Sequence, residues 1–308
     1  MNDKKNFWMR LRKDIARNKS MYILIIPVIA YFLIFHYKTM YGAVIAFQDY
    51  KLAKGIKGSE WVGFKHFTRI FKDIYFPRAF RNTLFINLFA QFFSFPVPIF
   101  FALILNEVRV KWFGRAVQTI TYMPHFISSV VVCGLLTTYC SSEGLFNQIA
   151  AWFGIENKTN LLYIKSLWYP IFVWSGTWQS FGWNSIIYLA TLSGIDQEQY
   201  EAAKIDGASR LQQMRFITLP GLVPTISMLL ILNMGGMLSL GHGKVLLLYN
   251  DLIMDVADVL STYAYRKGIL MQEYSYSTAL GLFLSVINLI MVTSANKISK
   301  KLGQSGLF

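Results

Sequence analysis

Long apolar runs separated by short polar intervals organise this chain. Six of them reach or approach the roughly 20 residues that a spanning helix requires: 21–36, 83–105, 116–140, 168–191, 217–240 and 278–296. From Thr83 onward no Asp, Glu, Lys or Arg lies inside the cores of these runs, only at their edges. Lipid cannot satisfy a free backbone amide or carbonyl, so such segments are expected to be helices. No stretch shows the roughly ten-residue alternation of a membrane barrel strand. The pattern predicts an all-α, polytopic membrane protein with six transmembrane helices. No internal repeat, low-complexity tract or linker marks a second domain.

Composition supports this reading. The 308 residues are 54% hydrophobic, 16% aromatic and 15% charged, against about 25% charged in an ordinary soluble domain. The net charge of +14 does not make a nucleic-acid binder, because that footprint needs bases clustered on a solvated face. Anionic lipid is the better match. The first run follows a basic segment (Lys4, Lys5, Arg10, Arg12, Lys13, Arg17, Lys19), and no small-x-small cleavage site comes after it. It is therefore read as a retained anchor.

Of the 30 Lys and Arg, 16 fall on the N-terminal side of this topology and 14 on the other. Long loops count less, and the residues before the first helix usually dominate. The expected N-terminus is cytoplasmic, with cytoplasmic tails at 1–20 and 301–308, an external loop at 37–82 and a cytoplasmic loop at 196–220. Within the external loop, Phe64, Phe67, Phe71, Phe76 and Phe80 recur among bases. Their spacing predicts an amphipathic helix on the outer face.

Catalytic and metal-binding patterns are missing from the sequence. His36, His66, His125 and His242 are scattered and form no i,i+4 pair. His125, beside Pro124, is expected to pack. Cys133 and Cys140, the only cysteines, sit among apolar residues and are read as packing residues. GHGK at Gly241–Lys244 lacks the spacing and the Ser/Thr of a phosphate loop, so the chain is not expected to bind ATP itself, nor to be an enzyme. Ion-driven carriers need buried charge in the membrane. Spans two to six offer neutral groups instead: Asn87, Gln91, Gln118, His125, Gln179, Asn184, Asn233 and Asn288. Trp174, Trp178 and Trp183 lie beside Gln179 and Asn184, and indole faces next to amides suit sugar stacking. The candidate solute contacts are Trp174, Trp178, Gln179, Asn184 and Asn233, and a neutral, hydroxyl-rich solute is the expectation.

The polar passage EAAKIDGASRLQQMRFITLPGLVPTI, Glu201–Ile226, interrupts the apolar pattern. Asp196–Asp206 reads as a helix with acids in its first turns. Gly207 is placed to end it. Asp206 is expected to cap a second helix starting near Ala208, and Pro220 to open the fifth span. Ala202, Ala203 and Ala208 keep the surface shallow for another protein. Asp206 has no nearby acid, base or metal ligand in sequence, so a catalytic role is disfavoured.

EAA, then Asp-Gly-Ala, then Leu-Pro eleven residues later resembles the EAA loop of membrane subunits of binding-protein-dependent ABC importers. Met214 stands where that pattern often has a bulky aromatic or aliphatic residue. MYGAVIAFQDYK (40–51), WVGFKHF (61–67), NTLFINL (82–88), KVLLLYN (244–250) and the stretch 274–299 resemble the polysaccharide-type sugar permeases of bacteria. The resemblance implies a type I ABC importer permease fold in the bacterial cell membrane, importing an oligosaccharide by alternating access. It implies that Glu201, Ala202, Ala203, Asp206, Gly207 and Ala208 form a coupling helix against an ATPase. It also implies a second homologous permease, two ATPase subunits that use ATP and Mg, and an external solute-binding protein. A permease for another polar solute is the alternative, and an ion-coupled sugar carrier a more distant one, since neither repeat symmetry nor a coupling charge is visible.

Overall fold

The computed structural model describes residues 13–155, 159–239, 241–301, 303 and 306, without the side chain of His242. Lys4, Lys5, Arg10 and Arg12 of the basic tail, and most of 301–308, lie outside this set. The described chain is helical apart from one two-stranded antiparallel ribbon, in which Gln48 pairs with Trp61 and Asp49 with Glu60.

The long helices follow the apolar runs but exceed them. α1 covers Lys19–Phe47, α3 Phe76–Asn106, α9 Arg210–Gly235 and α12 Tyr274–Lys301, and α2 (Lys65–Lys72) lies between the first two. These four long helices are long and apolar enough to cross a membrane. The third expected span, 116–140, is not one rod. Helix α4 (Lys111–Tyr122) runs through a 3₁₀ turn at Met123–Phe126 and meets α5 (Ser129–Tyr139) at 94°. Pro124 cannot donate the next helical hydrogen bond, and Ser128 restarts the helix by accepting from the Val131 amide at 3.3 Å. Counted as one bent span, the pair brings the number to five.

After the short α6 (Leu145–Trp152), the fourth run lies in α7, Lys165–Ser193. At 1.5 Å per residue it is about 43 Å long, but its Trp, Ser, Thr and Gly make it less apolar than the other four. It is the hub of the fold, packing on the 96–106 half of α3, on α4 and on α9. Three apolar clusters hold the bundle. One gathers Trp168 and Phe172 with Cys133, Cys140 and Val245, so both cysteines are buried packing residues with free thiols. The second joins Ala46 and Ile70 to Tyr263, Tyr276 and Leu280. The third packs Ile99 and Leu103 on Tyr188, Leu192 and Leu222. α1 is different: none of its residues before Ala46 is buried.

The loop between α1 and α3 is shorter than 37–82, because α1 continues to Phe47 and α3 begins at Phe76. The amphipathic helix is α2, yet the buried face is His66 and Ile70, while Phe64 and Phe71 are exposed. The phenylalanines therefore divide: Phe67, Phe76 and Phe80 pack on the second cluster, while Phe64 and Phe71 stay exposed. His66 is turned inward because its Nε2 bonds the Gln48 carbonyl at 3.1 Å, and a buried polar ring needs such a partner.

Candidate functional site

Two polar regions stand out: an elbow between α7 and α9, and a pair of adjoining cavities between the helices. In the elbow, Asp196 caps α8 (Gln197–Ile205) by accepting from the Glu198 amide at 3.0 Å. Gly207 ends it at φ +77°, a conformation that a Cβ disfavours. The Ala208 amide reaches back to the Ala203 carbonyl at 2.8 Å and the Gly207 amide to Lys204 at 3.1 Å. These two bonds form a Schellman motif, with Ala208 and Ala203 as its small apolar contact.

The next helix is capped by Ser209, not by Asp206. Ser209 is extended (ψ 161°), and it exchanges bonds with Gln212: its amide donates to Oε1 at 2.7 Å, and its hydroxyl accepts from the Gln212 amide at 3.4 Å. Asp206 has helical dihedrals (φ −70°, ψ 0°) and closes α8, whereas an N-cap must be extended. Pro220 does fall in the first turn of the α-helical segment Leu219–Gly235, as expected, but that segment does not begin afresh. Arg210–Gly235 is continuous, with a wide turn at Met214–Thr218 in which the Leu219 amide reaches the Met214 carbonyl five residues back. The extra residue lets the helix pass a proline that lacks an N–H.

Glu201, Ala202, Asp206 and Gly207 are exposed, and Ala203 and Ala208 half-buried. Ile205 and Leu211 stand out beside them at 86% and 73% exposure. The elbow is fixed to the bundle by few side chains. Tyr200 Oη meets Thr218 Oγ1 at 3.0 Å, and Arg210 donates to Glu107 Oε2 at 2.8 Å.

The candidate solute contacts do not form one site. Asn184 and Asn233 line a cavity of about 420 Å³ with Asn87, Gln91, Ser94 and Tyr188. Trp174 and Trp178 instead line an apolar groove with Val132, Leu135, Leu136 and Tyr139 of α5. Gln179 is committed to structure, donating to the Ile127 carbonyl at 2.6 Å, where the α4–α5 break frees a backbone acceptor. His125 packs there as well, its ring stacked on Trp183 at 4.6 Å and 3°. Gly182 lets α4 approach, since a Cβ there would overlap the Thr121 backbone. Asn288 braces the end of α9, bonding the Leu238 amide and Ser239 Oγ.

A second cavity, of about 590 Å³, shares the wall Asn87, Ala90 and Ser94 with the first and adds Ser129, Gly176, Thr177, Ser180 and Lys244. Both volumes fall in the roughly 300–1,000 Å³ range of small-ligand sites. Lys244 lies on α10 (His242–Leu248), in the GHGK stretch that lacks phosphate-loop spacing. Its ammonium donates to the Phe172 carbonyl at 2.8 Å and to Ser175 Oγ at 2.9 Å, and lies 4.6 Å from the Phe172 ring centre. The available sequence signal was its isolation, as it is the only Lys or Arg between Arg215 and Arg266. Among the described residues no three His, Cys, Asp or Glu side chains gather to hold a metal.

Charge is concentrated in a cap formed by α2, the start of α3, α11 (Leu260–Tyr265) and the start of α12. Asp258, fully buried, receives Arg266 through two bonds (2.7 and 3.2 Å), Thr262 Oγ1 at 2.8 Å and Arg78 at 3.6 Å. Asn82 ties α3 to the carbonyls of Asp255 and Asp258. Burial pushes the Asp73 carboxyl up, but the Tyr75 amide, Tyr263 hydroxyl and Lys267 ammonium outweigh it and hold it below the usual range. The Lys165 ammonium, 2.8 Å away, does the same for Asp255.

Comparison with known proteins agrees with this architecture. The chain is 44% identical to the polygalacturonan/rhamnogalacturonan transport system permease protein of Bacillus subtilis (strain 168), over 99% of this chain and 95% of that one. A crystal structure of a bacterial ABC transporter involved in the import of the acidic polysaccharide alginate contains a chain 41% identical, with a TM-score of 0.87, covering 95% of this chain and 99% of that one. A crystal structure of a bacterial alginate ABC transporter in complex with an alginate pentasaccharide-bound periplasmic protein gives 40% identity and a TM-score of 0.88, over 97% and 100%. The model of the binding-protein-dependent transport system inner membrane component matches residues 94–304. That span contains the elbow, the hub helix and most of the lining of both cavities, and the chain belongs to this family of membrane permease components.

Proposed function

We propose that this chain is one permease of an ATP-driven importer that moves an oligosaccharide released from a complex polysaccharide across the bacterial cell membrane. The observation that carries the proposal is the likeness, over nearly the whole of both chains, to a permease crystallised with a sugar-loaded periplasmic protein. In this reading α7 also crosses, making six crossings with α1, α3, the bent α4–α5 pair, α9 and α12, and the N-terminus is cytoplasmic. The elbow then faces the cytoplasm, where Glu201–Ala208 with Ile205 docks on an ATPase subunit. A second permease completes the pathway, and ATP and Mg belong to the ATPases.

Asn184 and Asn233, with Asn87 and Gln91, line this half of the solute path. Amide rims of this kind fit hydroxyl-rich ligands. Trp174 and Trp178 fit better as an apolar face toward lipid or the partner permease, because their neighbours on α5 are aliphatic. Bonds confined to Glu201–Gln213 make the elbow a stiff unit that transmits ATPase closure to α7 and α9.

The test is uptake by the complex purified through a tag on this chain and reconstituted in vesicles with its binding protein. Copurification of an ATPase and a second permease is expected, with uptake that needs internal ATP and survives an uncoupler. Uptake driven by an imposed ion gradient without ATP overturns the reading in favour of a secondary carrier.

A further inference from the structure

Lys244 brings an unneutralised positive charge to a cavity whose mostly apolar wall carries a few hydroxyl and amide groups. Two of its three N–H groups are used, on the Phe172 carbonyl and Ser175 Oγ, both neutral acceptors. Ser175 Oγ in turn donates into its own helix, to the Ile171 carbonyl at 2.6 Å. Among the described residues no carboxylate forms an ion pair with Lys244, although six other such pairs occur, five of them in or beside the cap. Its anchor Phe172 stands seven residues into α7, about 10 Å from that helix's start. A desolvated ammonium without a counter-charge is costly, and a lysine kept in this position has a third donor left for a ligand.

The surroundings favour a sugar over a lipid headgroup. Ser129, Thr177 and Ser180 line the same cavity, and Asn87, Ala90 and Ser94 form the wall shared with the amide cavity. A ligand passing the amides therefore reaches the ammonium across a shared wall that carries Asn87 and Ser94. We infer that Lys244 is the specificity-determining counter-charge for a carboxylate on the transported sugar, so that the pathway takes uronate-containing oligosaccharides in preference to neutral ones. This rests on the oligosaccharide-importer reading and replaces the neutral solute expected from the amides and tryptophans alone. A carboxylate oxygen at Nζ makes a charge-assisted hydrogen bond, stronger than a hydroxyl makes to the same group.

The experiment compares a short oligogalacturonide with its carboxyl-reduced, neutral counterpart in the reconstituted complex. Wild type, Lys244→Gln and Lys244→Arg are measured with one binding protein. That protein's own preference is identical for all three variants and divides out of their ratios. The expected result is that Lys244→Gln lowers uptake efficiency for the oligogalacturonide about tenfold or more, the scale of one hydrogen bond to a charged group. Uptake of the neutral counterpart should be unchanged, and Lys244→Arg should retain most of the preference. If Lys244→Gln lowers both substrates equally, or neither, the counter-charge role is overturned, and the lysine merely braces α10 on α7. If wild type moves only the neutral ligand, the uronate inference fails while the importer reading stands. If wild type moves neither sugar under ATP, the oligosaccharide reading itself fails.

Discussion

The elbow and the cap are both polar, yet they are built in opposite ways. The elbow is made of consecutive residues, and the hydrogen bonds that form its bend close within Glu201–Gln213, with the bonds from Tyr200 to Thr218 and from Arg210 to Glu107 tying it to the bundle. The cap joins residues nearly two hundred positions apart, with Asp258 fully buried beneath Arg78 and Arg266. Removing one partner of a buried ion pair leaves an uncompensated charge, whereas exposed pairs contribute little. The cap is thus a fixed anchor. The elbow is rigid internally and held to the bundle by weak ties, which is what a transmitting element requires.

The largest effect is expected in the cap. Asp258→Ala strands Arg266 and Arg78, and should lower stability by about 3–5 kcal/mol, seen as a depressed Tm of the purified complex. An unchanged Tm would show that the cap is not an anchor. Gly207→Pro comes next, because proline fixes φ near −65° where the chain needs +77°. Membrane insertion should survive, while uptake and substrate-stimulated ATPase activity disappear. Normal coupling in this variant would sink the lever role of the elbow. Gly207→Ala meets no atom within 4 Å, so its cost is backbone strain alone, about 1–2 kcal/mol, and partial uptake should remain.

Glu107→Gln weakens one exposed tie of the elbow. The stability loss should stay below about 1 kcal/mol, and a double-mutant cycle with Arg210→Gln measures it; a coupling energy well above that would make the elbow as firmly anchored as the cap. The smallest effect concerns His66. Burial pushes its imidazole below the ordinary value, outweighing the Gln48 carbonyl. Because the folded value is the lower one, this contribution to docking is complete above pH 6.5 and fades as pH falls through the folded value. Hydrogen exchange in residues 48–72, corrected for its intrinsic pH dependence, should accelerate below pH 6.5, and His66→Gln should remove the acceleration.

Legibility followed the range of the interactions. The helices, the Gly207 bend and the alanine surface depend on spacing and backbone rules, and the sequence carries both. Pro124 was visible too, but the 94° break it permits needed Gln179, 52 residues away, to satisfy the Ile127 carbonyl. Which phenylalanines of 64–80 pack was not legible, because a periodic pattern cannot tell Phe67 from Phe64 or Phe71, while the bond from His66 to Gln48 joins Ile70 in setting the buried face of α2. The tryptophans were grouped with the amides because they neighbour each other along α7, but a helix turns 100° per residue and presents them to different partners.

The sequence by itself determined that the chain is a helical membrane permease with a polar elbow between two of its apolar runs. Apolar run length answers to lipid, and the elbow's chemistry is local. Only the tertiary structure decided which polar groups share a cavity, since Asn87, Asn184 and Asn233 come from three different helices. It also decided that Lys244, inconspicuous in a failed motif, is the cation beside them. Packing of distant segments sets which charges are neutralised, and no pattern along the chain records that.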